Sequence, residues 1–222
     1  MAWPLPRRYD GRVTQPRLVL ATNNDGKLRE FRELLDGCGC ELVTPAQLGV
    51  PFNPDETGAS FEENATIKAV EATRSCGLRA LADDSGLEID YLGGRPGIFS
   101  ARYAGGDRTD PSLTEQQQVR IVLDELQGVP DDQRTARFRC VIAIAATDGG
   151  VQTADGVFEG RIAHEPRGEH GFGYDPIFFV PELGMTSAEL PPEEKNKISH
   201  RAQAALKARE LLRMMSGDYP TA

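Results

Sequence analysis

The chain has 222 residues, 39% hydrophobic and 27% charged, with a formal net charge of −9. That length suffices for one large domain or two lobes with a real core, and the composition is that of a soluble globular protein. The acidic balance argues against a nucleic-acid polymer as partner, because phosphate backbones need a basic surface, and no apolar run approaches the ~20 residues that span a membrane.

Residues 1–16 (MAWPLPRRYDGRVTQP) have no apolar core behind their charges, so they do not read as a secretory signal. Their Pro, Arg and Gly content predicts a loose N-terminal extension before a single domain over 17–217. The four cysteines are Cys38, Cys40, Cys76 and Cys140; the Cys-x-Cys pair lacks a second pair for structural zinc. Buried free thiols in a reducing cytoplasm are the expectation.

Residues 17–22 (RLVLAT) predict a buried strand, broken by Asn23, Asn24, Asp25 and Gly26. A helix then starts at Lys27, with Leu28, Phe31, Leu34 and Leu35 on one face and Gly37 at its end. Strand, polar loop and helix point backbone N–H groups at an anion, and Thr22, Asn23, Asn24 and Lys27 add donors. The spaced glycines of a Walker A loop are missing. A plain capped helix start with Lys27 in solvent is the structural alternative.

A weak strand at 40–43 leads into a Pro- and acid-rich loop over 45–58, whose Asp55 and Glu56 are candidate metal ligands. Residues 60–76 predict a helix opened by a Ser60–Glu63 capping box and ended by Gly77. On it Asn64 and Lys68 share a face, either toward phosphate or toward solvent.

The stretch LADDSGLEIDYLGGRPGIFSARYAGG (81–106) organises the chain. Asp83 and Asp84 fall between a short apolar run and the alternating Leu87, Ile89 and Tyr91, so a strand–turn–strand junction is expected. Two adjacent anions repel unless a cation or proton lies between them. Mg²⁺ is the simplest answer, since hard carboxylate oxygens suit it; a solvated Asp-Ser-Gly turn is the competing reading. Residues 98–103 predict a helical turn offering Ser100 and Arg102 to a ligand.

Asp110-Pro111 is expected to open a helix over 112–126. Residues 137–147 (RFRCVIAIAAT) form the strongest strand pattern and predict a central strand, turning at 148–150 into a return strand over 151–162. The sheet is therefore mixed. In the loop over 164–176, Phe172 and Tyr174 lie among glycines and can offer an open face to a flat base, with Asp175 beside them to bond sugar or base. The last helix lies within 191–215, with Ser199 as a helix cap, Leu206 among its apolar contacts and Gly217 as its end. His200 and Arg201 in its first turn oppose the helix dipole, which a bound anion would offset.

LATNNDGKLREF (20–31), ETGASFEENATIKA (56–69), LADDSGLEIDYLGGRPGIFSARYAG (81–105), GFGYDPIFF (171–179) and EEKNKISHR (193–201) occur in that order. In this combination the chain resembles the inosine/xanthosine triphosphate pyrophosphatases over about residues 17–215. The resemblance implies an α/β fold: a mixed central β-sheet flanked by helices, elongated and two-lobed, with a substrate cleft between the lobes. It also implies a Mg²⁺-dependent homodimer that splits ITP, dITP and XTP between the α- and β-phosphates. Carried over by position, it makes Thr22, Asn23, Asn24, Asp25, Gly26 and Lys27 the phosphate loop. Asp84 becomes general base and metal ligand, with Asp83 beside it and Ser85 on substrate. Glu56 is the loop acid on metal, with Asp55 as its fallback, and Lys68 faces phosphates. Phe172, Gly173, Tyr174 and Asp175 hold base and sugar, and Lys195, His200 and Arg201 close over the base edge. A nucleotide-binding sensor without catalysis and a phosphatase releasing terminal phosphate are the alternatives. A dinucleotide oxidoreductase is disfavoured, because no Gly-x-Gly-x-x-Gly follows the first strand.

Overall fold

The structure is a computed structural model and describes residues 8, 9, 12, 13 and 15–216, with side chains from 15 to 215. Strands β1 (Arg8–Tyr9) and β2 (Arg12–Val13) pair antiparallel. Part of the stretch expected as a loose extension thus carries a backbone ladder, and its remaining residues up to 14 lie outside the described ones.

The chain continues through β3 (Arg17–Leu20), α1 (Asp25–Leu34), β4 (Glu41–Val43), α2 (Phe61–Cys76), β5 (Ala80–Ile89), α3 (Glu115–Glu125), β6 (Thr135–Ala145), β7 (Val151–Ile162), β8 (Phe178–Val180), β9 (Met185–Thr186), α4 (Pro192–Ile198) and α5 (His200–Ser216). Strands β3 to β9 form one sheet in the order β4-β3-β5-β6-β7-β8-β9. Strand β3 pairs parallel with β4 and with β5, whereas β8 pairs antiparallel with β7 and β9, so the sheet is mixed as expected. The apolar run of β6 takes the middle place, where burial on both faces favours unbroken hydrophobic sequence.

The helices start where side chains satisfy the free N–H groups of their first turns. Asn24 Oδ1 accepts from Lys27 N at 2.9 Å, so α1 begins at Asp25, two residues before the expected start. Ser60 Oγ accepts from Glu63 N, but the returning Glu63 carboxylate takes the N–H of Ala59. The third helix does not open at Pro111. Asp110 Oδ1 accepts from Ser112 N in a local turn, and Thr114 with Gln117 makes the capping box instead. Ser199 in extended geometry divides α4 from α5, and its Oγ accepts from Ala202 N. Gly217, expected to end the last helix, lies outside the described residues.

Three further expectations are corrected. Residues 80–89 are one unbroken strand rather than two strands about a turn. Leu206 is 65% exposed rather than turned inward. Of the four cysteines only Cys140 is buried; Cys38, Cys40 and Cys76 are half-buried.

The chain divides into two compact units. The first comprises residues up to Asp84, residues 141–155 and residues from Ala204 on. Its core includes Leu18, Leu20, Phe31, Leu81, Ile142 and Leu212. The second comprises residues 85–140 and 156–203. Its core gathers Leu87, Ile89, Val122, Leu126, Phe138 and Phe178, with the rings of Phe138 and Phe178 4.4 Å apart.

Candidate active site

In the first unit, β3 runs parallel between β4 and β5, and the chain leaves it toward β4 before crossing to β5. The carboxyl ends of parallel strands where connections diverge in this way are the usual ligand position of open α/β sheets. Here the loop 22–27 leaves β3, and Asp83 and Asp84 lie along β5.

Consecutive strand residues point to opposite faces, which relieves the repulsion expected between Asp83 and Asp84. Each finds its own lysine. Lys27 Nζ, from the first turn of α1, lies 2.9 Å from Asp83 Oδ2. Lys68 Nζ, from the middle of α2, lies 2.8 Å from Asp84 Oδ1 and 3.1 Å from Glu56 Oε1. Asp55, the fallback for Glu56, is exposed.

Asn64 is fully buried one turn before Lys68. Its Nδ2 donates to Asp84 Oδ2 at 3.2 Å, while its Oδ1 accepts from Gly58 N at 2.8 Å. One amide thus ties Asp84 to the loop that carries Glu56. The backbone comes close here: a Cβ on Gly58 would lie 2.7 Å from Asn64 Oδ1. The helical spacing of Asn64 to Lys68 predicts a side chain toward phosphate or solvent, whereas here it faces Asp84. Spacing alone does not tell which way the shared face looks.

The remaining loop residues bond within the loop or to the segment over 45–58. Thr22 Oγ1 accepts from Asn24 N at 3.2 Å, and Asn23 Nδ2 donates to Phe52 O at 2.8 Å. Asp25 is exposed in the first turn of α1, and Gly26 is buried.

Burial pushes the Asp84 carboxyl above the ordinary aspartate value, and Lys68 and Lys27 only partly offset it. Burial pulls the Lys68 ammonium down, but Asp84, Asp83 and Glu56 outweigh that and raise it. The lysine stays charged while the carboxylate is under-compensated. Three carboxylates face two ammonium groups, which leaves one negative charge.

Among the described residues no three His, Cys, Asp or Glu side chains are gathered closely enough to hold a metal ion. In this structure Lys68 bridges Asp84 and Glu56, and Lys27 contacts Asp83. The donor set nonetheless fits Mg²⁺. That ion is bound through one or two carboxylates together with substrate phosphates and waters, not through all-protein cages. The residual negative charge and the hard oxygens of Asp84 and Glu56 meet that requirement.

The second unit holds a separate cluster. Asp175 is buried, accepting from Lys195 Nζ at 2.6 Å and from Phe172 N at 2.9 Å. Phe172 is half-buried, with Lys195 Nζ 5.2 Å and Arg201 Cζ 5.5 Å from its ring centre. Arg201 is buried, and its Nη2 donates to Ser85 Oγ at 2.8 Å. His200 is also buried, stacked on Phe138 with ring centres 4.8 Å apart. Gly173 has φ of +61° and leads into Tyr174.

Two expectations about this cluster are corrected. Tyr174 offers no open face: it is 5% exposed in the apolar core, and its hydroxyl donates to Ser100 O. Burying the ring while bonding its hydroxyl satisfies both ends of an amphipathic side chain. Ser100 is not available to a ligand either, because its Oγ accepts from Leu87 N and donates to Gly97 O. Phe172 remains as the partly open aromatic face.

The sequence profile of the Ham1 family matches residues 18–211. A protein of Methylococcus capsulatus named dITP/XTP pyrophosphatase is 50% identical over 203 residues, covering 90% of this chain and 98% of that protein. One of the same name from Bacillus subtilis is 49% identical over 200 residues, covering 90% and 98%. Among solved structures, a HAM1 protein from Coxiella burnetii superposes with a TM-score of 0.80 at 44% identity, covering 90% of this chain and 99% of that one.

Proposed function

The chain belongs to the Ham1 family, and from that premise we propose that it hydrolyses the non-canonical purine nucleoside triphosphates ITP, dITP and XTP to the monophosphate and pyrophosphate. The observation that carries the reading is buried Asp84 bound to Lys68, which also holds Glu56. The printed names of relatives about half identical over nine-tenths of the chain support the substrate class.

In this reading Lys27 and Lys68 release their carboxylates when a triphosphate arrives and neutralise its oxygens instead. Asp84, freed of its lysine and already a stronger base than an ordinary aspartate, takes or orients the proton of the attacking water. Asp84 and Glu56, with Asp83 beside them, would hold Mg²⁺, which would supply charge neutralisation at the phosphoryl oxygens. Asn64 keeps Asp84 and the Glu56 loop in register. Phe172 stacks against the purine, and Lys195 and Arg201 present donors to its 6-keto edge. An adenine amino group would face those donors and lose its bond, which is how a polar site rejects the wrong base.

The test is product analysis. Incubation with ITP, dITP or XTP and Mg²⁺ should release pyrophosphate and the monophosphate, with ATP turned over far more slowly. Orthophosphate as the first product would make the protein a terminal phosphatase. Tight binding without either product would make it a sensor. We also propose that it acts as a homodimer in the cytoplasm, which light scattering of the purified protein and fractionation of its cells check.

A further inference from the structure

Cys38 and Cys40 flank Gly39 in the turn between α1 and β4. Their Sγ atoms are 2.9 Å apart, and both side chains are half-buried, open in part to small molecules. The turn is built for this approach. Gly39 has φ of +81°, a conformation open to glycine and costly for other residues. On the adjoining helix end, Arg209 Nη1 donates to Leu34 O at 3.0 Å and Asp36 O at 2.7 Å. It thereby covers the negative end of α1, which would otherwise disfavour a thiolate.

The two thiols are unlike. The hydrogen bond from Cys40 holds the Cys38 thiol down to about 6 against the opposing effect of burial, with Arg209 adding to it. Cys40 is pushed up by that same hydrogen bond and by burial, while Arg79 acts in the opposite sense. One sulfur is thus a ready nucleophile and its neighbour a protonated donor in contact with it. That is the asymmetry of an attacking and a resolving cysteine.

We propose that Cys38 and Cys40 form a reversible dithiol–disulfide site, oxidised by a small-molecule disulfide through thiol–disulfide exchange. In the first step the Cys38 thiolate attacks one sulfur of the external disulfide. The bond between the external sulfurs breaks, a mixed disulfide forms on Cys38, and one thiolate leaves. With the Cys38 anion consumed, the main influence holding the proton on Cys40 is gone, and that proton passes to solvent. The Cys40 thiolate then attacks Cys38 Sγ, the Cys38–Cys40 bond forms, and the second external thiolate leaves. Two electrons pass from the protein to the external disulfide, and both departing thiolates take up protons from solvent. Because the sulfurs already touch, closure needs little backbone movement. The site is independent of the hydrolytic reading.

The experiment uses the reduced full-length protein, exposed under native conditions to oxidised glutathione, then alkylated and mapped by mass spectrometry. A Cys38–Cys40 linked peptide should form, reversed by dithiothreitol, while Cys76 and Cys140 remain alkylatable after unfolding. Cys40→Ser should stop at a glutathione adduct on Cys38, and Cys38→Ser should react at Cys40 at least tenfold more slowly. On the native protein alone, the rate of Cys38 alkylation should rise with pH about a midpoint near 6. The proposal is overturned if the native protein yields no linked peptide, if Cys38 in Cys40→Ser reacts no faster than Cys76, or if the alkylation midpoint is that of an ordinary thiol.

Discussion

Lys68 Nζ lies 2.8 Å from Asp84 Oδ1, with both side chains 9% exposed. A buried pair of this kind adds little net stability when intact, but removing one partner strands the other as an uncompensated charge. Lys68→Met should therefore cost roughly 3–5 kcal/mol in urea unfolding. Adding Asp84→Asn to it should restore much of the loss. Equal costs for the single and double variants would mean that the two charges are not coupled.

Asp84→Asn alone keeps the shape of the site and the Asn64 contact but removes the base. Turnover of ITP should fall by about 100-fold or more, with nucleotide binding still measurable by calorimetry. Near-normal turnover would remove Asp84 from the mechanism.

Asp84 also makes the site sensitive to protons. Its carboxyl is raised in the folded state, chiefly by burial. The folded protein therefore holds that proton more tightly than the unfolded chain. This contribution to stability is complete below the ordinary value of 3.8 and is lost as pH rises through the folded value. With chelator present, carboxyl NMR titration should find Asp84 titrating above 3.8. Mg²⁺ should move that titration down, and its stabilisation of the fold should grow as pH rises over the same window. A titration at or below the ordinary value in chelator would contradict this account.

Asn64→Ala removes the partner of Gly58 N and one partner of Asp84. Leaving buried polar groups unmatched costs about 1–3 kcal/mol. Because the amide positions the base and the Glu56 loop, kcat should fall more than KM rises, and the Mg²⁺ requirement should shift to higher concentration. A loss of stability with kinetics unchanged would make Asn64 a packing residue only.

Arg201→Ala should erode the preference for ITP over ATP by about tenfold, on the scale of a lost polar contact. Ser85→Ala, which removes the acceptor of Arg201 Nη2 but keeps the guanidinium, should erode it less. An unchanged ratio in Arg201→Ala would clear that residue of base reading.

Much of the fold is legible along the chain because its causes are local. The apolar run over 137–145 forms the central strand, and Asn24, Ser60 and Ser199 mark helix starts through their own side chains. Where two local signals compete, the sequence misleads. Asp110-Pro111 looks like a helix start, but the helix opens at the reciprocal capping box of Thr114 and Gln117. Asp-Asp-Ser-Gly reads as a turn, yet it runs as strand, with Lys27 on Asp83 and Lys68 on Asp84.

The residue types of the site, acids, lysines, an aromatic and buried cations, are likewise present in the sequence, and the ordered motifs suffice to suggest their chemistry. Partner choice is another matter. Whether Glu56 or Asp55 meets Lys68, whether Asn64 faces phosphate or Asp84, and whether Tyr174 stands open or buried all depend on contacts between distant segments. Glu56 and Lys68 are 12 residues apart, and Tyr174 and Ser100 are 74. Periodicity and capping act within a turn or a strand. Only the packing of separate elements, with the desolvation it imposes, decides which charge answers which.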